Sequence, residues 1–132
     1  MTKRLAIIGS GSSGLVSLKN AIETLPDWEI VCFERSNSIR GCWGDPHSGF
    51  VSTSTKYTTQ FACFTKYAAN VDPDGRDRRA EFFHDREYGD YLESFADAFG
   101  LRERNRLRCR VYTLCRKETH GRWQMTWTDE AS

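Results

Sequence analysis

Net charge is nearly absent from this sequence: 19 lysines and arginines face 18 aspartates and glutamates in 132 residues, leaving +1. A chain so balanced lacks the field that marks a dedicated nucleic-acid or membrane-surface protein. Long apolar runs are missing too, and none approaches the roughly 18 residues that span a bilayer. The start, Met1 to Gly14, has a basic pair and a short apolar run. Glycine and serine interrupt that run too early for a secretory core, so a cytoplasmic chain is expected. No CxxC pair occurs, and the three histidines (His47, His84, His120) lie far apart. Zinc sites of the finger or deaminase kind are thereby excluded, and no metal site is expected. The five cysteines, Cys32, Cys42, Cys63, Cys109 and Cys115, are an odd number. With a cytoplasmic setting expected, they read as reduced thiols rather than a disulfide framework. Repeats and low-complexity tracts are lacking as well.

What is present is an ordinary domain composition, 39% apolar and 28% charged. At this length one domain is expected, able to bury about two-thirds of its unfolded surface. Leu5 to Ile8 form an unbroken apolar run that meets Gly9, the pattern of a strand buried on both faces. Beyond Gly14 the apolar residues Leu15, Val16, Leu18, Ala21, Ile22 and Leu25 are spaced helically, and Pro26 stops the helix. Trp28 to Glu34 is rich in aromatic and β-branched residues and reads as a second strand. Strand, helix and strand make a βαβ unit.

Beyond Ser36, Gly41, Gly44, Pro46 and Gly49 mark loops. Ser52 to Thr59 is hydroxyl-rich and expected to be extended, and Asp72 to Arg79 reads as a solvated turn. Asp85 suits an N-cap, Tyr88, Tyr91, Leu92, Phe95, Ala96 and Phe99 share one helical face, and Gly100 stands where a C′ residue belongs. Arg106 to Cys115 alternates, with Leu107, Cys109, Val111 and Thr113 on one side. Trp123, Met125 and Trp127 alternate in turn after Thr119-His-Gly, completing a hairpin. The arginines at 102, 104, 106, 108 and 110 would build a basic stripe on a strand, although a solvated face is the preferred reading.

The densest chemical signal is Gly9-Ser10-Gly11-Ser12-Ser13-Gly14, a complete G-x-G-x-x-G between a strand and a helix. Gly9 permits the tight turn, Gly11 lets a pyrophosphate approach the backbone, and Gly14 lets helix and strand pack closely. The helix N-terminus supplies oriented N–H groups for phosphates. Glu34 ends the second strand 20 residues after Gly14, where a carboxylate can accept from both hydroxyls of an adenosine ribose. Glu34 also repels a 2′-phosphate. Adjacent Arg35 offsets part of that repulsion and is counted with the nucleotide site.

Taken together, KRLAIIGSGSSGLVSLKNAIE, VCFERS and IRGCWGD resemble the N-terminal part of flavin-containing monooxygenases. KYTTQFACF is similar to the segment those enzymes place by the flavin. HDREYGDYLESFADAFGL resembles their aromatic helix, and RLRCRVYTLCR with GRWQMTW their strand and hairpin. The resemblance implies an α/β, Rossmann-like FAD-binding βαβ unit followed by a helical segment and a β-hairpin. Residues 1–132 would be the N-terminal portion of that domain. It implies that Gly9 to Gly14 hold the FAD pyrophosphate and Glu34 the ribose. Cys42 and Trp43 would run beside the ribityl chain and pyrophosphate, and Val111 would contact adenine through its backbone. Lys56 would take the flavin-proximal position where many members have asparagine, the catalytic candidate. Arg40 stands where the first glycine of the family's GGxW usually lies.

In the family NADPH reduces FAD, and oxygen from O₂ passes to a soft nitrogen, sulfur or carbonyl-type substrate. The second dinucleotide motif, for NADPH, and the later strand that closes the FAD domain do not occur in these 132 residues. The fold is therefore expected to be incomplete and the segment inactive by itself. Two other readings stay open: an NAD(P)-binding Rossmann domain of another oxidoreductase, and a non-catalytic truncated remnant.

Overall fold

The N-terminal apolar run becomes strand β1, Arg4–Ile8, in the computed structural model, which describes residues 1–68 and 81–130. The chain turns at Gly9 into helix α1, Ser12–Thr24, and returns as β2, Glu29–Phe33, parallel to β1 in the register Arg4↔Glu29 to Ile8↔Phe33. A 3-10 turn follows at Gly41–Trp43, then β3, Val51–Thr55, and a single helical turn α2, Lys56–Thr59. Strand β4, Phe82–His84, pairs antiparallel with β3, and helix α3, Glu87–Ala98, follows it. After a 3-10 turn at Arg102–Arg104 come β5, Asn105–Arg106, β6, Cys109–Arg116, and β7, Trp123–Asp129. The parallel sheet runs β1-β2-β5, and β6-β7 is an antiparallel hairpin. The molecule is α/β, built on a parallel βαβ unit.

One apolar cluster joins α1, the sheet and α3. Leu15 and Leu18 of α1, Ile30 and Cys32 of β2, and Tyr91, Leu92, Phe95 and Ala96 of α3 are all at most 1% exposed. Burying a side chain such as Phe95 contributes about 1.5–3 kcal/mol. The periodicity of α3 therefore reads as it folds. Gly100, at φ +62°, closes it: its N–H donates to Asp97 O at 3.3 Å and that of Leu101 to Ala96 O at 2.9 Å, the paired bonds of a Schellman ending. Phe61, Phe64 and Tyr67 lie across α3. The Tyr91 hydroxyl holds them by accepting from Phe61 N (2.7 Å) and donating to Phe64 O (2.8 Å).

Several local expectations are corrected. Strand β1 is not buried on both faces: Leu5 and Ile7 are half-buried, whereas Ala6 is exposed and Ile8 is 53% exposed. The cause is position: β1 is an edge of the sheet, and the hairpin packs on the neighbouring strand β2, Trp127 against Phe33. The hydroxyl-rich segment is extended only to Thr55, whose side chain accepts from Thr58 N and starts α2. Asp85 is not the cap of α3. It takes φ +47°, and Glu87 instead reaches back to accept from His84 N at 2.8 Å.

The run from Arg106 to Cys115 is two strands, broken where Arg108 adopts φ +57°. Its alternation also slips at Tyr112, where the ladder passes from Val111↔Trp127 to Thr113↔Thr126. The extra residue makes a β-bulge, and Leu114 replaces Thr113 on the face of Val111, Met125 and Trp127. No arginine stripe forms, since Arg102 and Arg104 sit on a 3-10 turn. Arg102 pairs with Glu93 and Asp97, Arg106 lies over Phe33 and Trp127, and Arg110 faces Glu130. The expected turn at Asp72 to Arg79 lies outside the described residues.

Candidate functional site

The carboxyl ends of β1 and β2 open into two adjoining clefts that share Ile8 and Gly9. The first, about 300 Å³, is lined by the glycine loop (Gly9, Gly11 to Gly14) and by Gly41, Cys42 and Trp43. The second, about 400 Å³, is lined by Glu34 and Arg35 on one side and by Cys109 to Tyr112, including Val111, on the other. The sequence thus disperses over a hundred residues what the fold brings to one end of the sheet.

Sterics shape the first cleft. Gly9 turns at φ +91°, and a Cβ on Gly14 would lie 1.8 Å from Gly9 O, so α1 can pack against its own entry loop only with glycine there. Across the cleft Gly41, at φ +61°, comes so close that a Cβ on it would lie 3.1 Å from Gly11 Cα. Arg40, by contrast, has ordinary helical dihedrals (φ −75°, ψ −13°), so an L side chain costs nothing at this departure from the family pattern. Its guanidinium pairs with Asp90 at 2.7 Å and Glu93 at 3.3 Å on α3. A Cβ on Gly89 would meet Trp43 O at 3.0 Å, which is how α3 lies so close beneath the turn.

Helix α1 begins in this cleft without compensation of its own. Gly11, the N-cap, offers no side-chain acceptor, and the first turn carries no carboxylate. Its end N–H groups and the partial positive charge of the helix dipole are left for a ligand. One hydroxyl there is engaged: Ser12 Oγ lies 2.5 Å from the Tyr88 hydroxyl of α3.

Glu34 is 7% exposed and holds the loop together. Its Oε2 accepts from Ser10 N at 2.9 Å, and its Oε1 accepts from Ser36 N at 2.8 Å and Ser36 Oγ at 2.9 Å. Burial by itself pushes this carboxyl up, yet the Ser10 and Ser36 N–H groups, the Ser36 hydroxyl and the Arg35 charge together hold it below the usual value. A carboxylate offers about four lone-pair sites. Three go to the protein, leaving one acceptor for a ligand hydroxyl rather than the two expected from sequence. Ser10 gives its backbone to this clasp and lines neither cleft. Its hydroxyl oxygen is buried without a partner among the described residues. Beneath Gly9, Cys32 Sγ donates to Gly9 O at 3.4 Å, and burial pushes that thiol up to about 12.

Cys42 is exposed at the cleft rim. Trp43 packs edge-on against Phe50 (5.4 Å) and Tyr88 (5.1 Å). Lys56 lines neither cleft. Its side chain is only 12% exposed, with Nζ 3.2 Å from Glu87 Oε1 and over the rings of Tyr67 (5.4 Å) and Phe83 (5.8 Å). Sequence reading did not find Ser36, Gly41 or Tyr88 as site residues. Only Gly41 left a trace, as the glycine before Cys42-Trp43.

A glycine loop on a βαβ unit, its acid at the next strand end and a Gly-Cys-Trp turn closing over it are what comparison with known proteins can weigh. The family description "Flavin-binding monooxygenase-like" matches residues 2–131. The chain belongs to this family. It is 30% identical over 97% of its length to flavin-containing monooxygenase 5 of Rattus norvegicus, and 28% over 98% to human dimethylaniline monooxygenase [N-oxide-forming] 4. In both cases it spans 24% of the relative's length. Among solved structures, S-allyl-L-cysteine S-oxygenase from Allium sativum superposes over 99% of this chain and 33% of its own, with a TM-score of 0.77 at 23% identity. A steroid monooxygenase bound to NADP does so over 92% and 22%, with a TM-score of 0.75 at 20% identity. The fold is that of a portion of these oxygenases.

Proposed function

We propose that the two clefts bind the ADP portion of FAD, and that the chain is the FAD-binding N-terminal segment of an NADPH- and O₂-dependent monooxygenase. Its substrate class would be nitrogen, sulfur or carbonyl compounds. The observation that carries this reading is the pair of adjoining clefts, one at an uncompensated helix N-terminus and the other beside a buried carboxylate. The residues fit the group: Gly11 and Gly41 face each other across a cradle that Cβ atoms would narrow, and Glu34 keeps one acceptor free.

When bound, FAD supplies the electron transfer and oxygen activation. The protein's part is to hold it. The N–H groups at the start of α1 would take the diphosphate, Glu34 one ribose hydroxyl, and the backbone around Val111 the adenine. Cys42 and Trp43 would wall the chain that leads to the flavin. Arg35 beside the second cleft offsets part of the repulsion between Glu34 and a 2′-phosphate. The NAD(P) alternative uses the same glycine loop; the carboxylate weighs against NADP, whose phosphorylated ribose it repels, and accepts from the ribose hydroxyls of NAD as well as from those of FAD.

Calorimetric titration of the 132-residue chain with FAD, ADP and NADP tests the reading. FAD and ADP are expected to bind with similar heat signatures and NADP at least tenfold more weakly. Tighter binding of NADP, or no binding of FAD or ADP, would refute it.

A further inference from the structure

We propose that Tyr88 is a positioning residue for the nucleotide diphosphate, acting through the Ser12 hydroxyl. The proposal rests on the nucleotide reading above and goes beyond it to a residue on a helix that lines neither cleft. Ser12 is in the first turn of α1 and lines the first cleft. The Tyr88 hydroxyl, 76 residues further along the chain, is 2.5 Å from its oxygen. Tyr88 itself is 5% exposed and wedged among Trp43, Phe83 and Tyr91, with ring centroids 4.9–5.7 Å away. The phenol cannot swing away without opening this cluster.

A phenol is the more acidic partner and the better donor of the two. Burial holds it protonated, pushing its ionisation above the ordinary tyrosine value. With Tyr88 O–H donating to Ser12 Oγ, the serine's own hydrogen is left to point into the cleft. An anionic phosphate oxygen there completes a chain from Tyr88 through Ser12 to phosphate, each bond polarising the next. Tyr88 also touches Trp43, on the other wall of the same cleft, so one side chain sets both walls. Arg40 and Gly89 keep α3 at that spacing.

The test compares ADP with adenosine as ligands for the wild-type chain, Tyr88→Phe, Ser12→Ala and the double variant. Phenylalanine keeps the ring in its cluster and removes only the hydroxyl. Tyr88→Phe is expected to weaken ADP about three- to tenfold and to leave adenosine unchanged. Ser12→Ala should cause a similar loss, and the double variant no more than the larger single one. Unchanged ADP affinity in Tyr88→Phe, an equal loss with adenosine, or additive losses in the double variant would overturn the positioning role while leaving the nucleotide site standing. Failure of the wild-type chain to bind ADP at all would overturn both.

Discussion

Replacing Glu34 with glutamine changes one oxygen to an amide nitrogen and should be costly out of proportion to its size. The carboxylate accepts three hydrogen bonds, from Ser10 N on one oxygen and from Ser36 N and Oγ on the other. Glutamine must turn its NH₂ toward one of these sides, where it faces an N–H donor. At least one buried donor is then unsatisfied, at about 1–3 kcal/mol, and the bonds that survive lose their charge assistance. We expect Glu34→Gln to destabilise the chain by about 2–4 kcal/mol at pH 7 and lower Tm by about 6–15 °C.

The sign with pH follows from the depressed carboxyl. Below its ordinary value of 4.5 in the unfolded chain, Glu34 stays ionised in the fold, so its contribution is full above that value. It is lost as pH falls through the lower folded value. Urea unfolding of wild type and variant at pH 7, 5, 4 and 3 reads this directly. The gap between the two should be constant from pH 7 to 5 and shrink below it, while other carboxylates cancel in the comparison. A gap below about 0.5 kcal/mol at pH 7, or one that persists undiminished at pH 3, would show that the clasp does not hold the loop.

Gly14→Ala sets a methyl 1.8 Å from a backbone oxygen. It is expected to cost about 3 kcal/mol or more, measured by urea unfolding, since neither α1 nor the loop can yield cheaply. Lys56→Met removes the ammonium that lies over Tyr67 and Phe83 and beside Glu87. We expect a loss of about 0.5–1.5 kcal/mol in the same assay and no change in ADP affinity, because Lys56 lines neither cleft. Trp123, 65% exposed on the hairpin, should be replaceable by threonine within about 0.5 kcal/mol. Sedimentation should show less self-association in that variant, because the apolar face it shares with Leu114 is uncovered.

The parts of this protein legible in its sequence are those set by neighbours in the chain. The βαβ unit follows from apolar spacing and from Pro26, the end of α3 from Gly100, and the glycine loop from steric demands met within six residues. Glu34 could be placed at a strand end because strand length and loop length are short-range quantities. What the tertiary structure decided depends on groups that meet only after folding. That Glu34 spends three acceptors on the protein, that Gly41 comes so near Gly11 that a Cβ would lie 3.1 Å from its Cα, and that Tyr88 reaches Ser12 are contacts between distant segments, and no spacing rule encodes them. Likewise the apolar run of β1 has the composition of a strand buried on both faces. Its exposure at Ile8 is a property of the sheet edge, because burial belongs to the arrangement of strands and not to any one of them. The bulge at Tyr112 makes the same point on a smaller scale: alternation predicts which residues share a face only until the partner strand takes up one residue fewer.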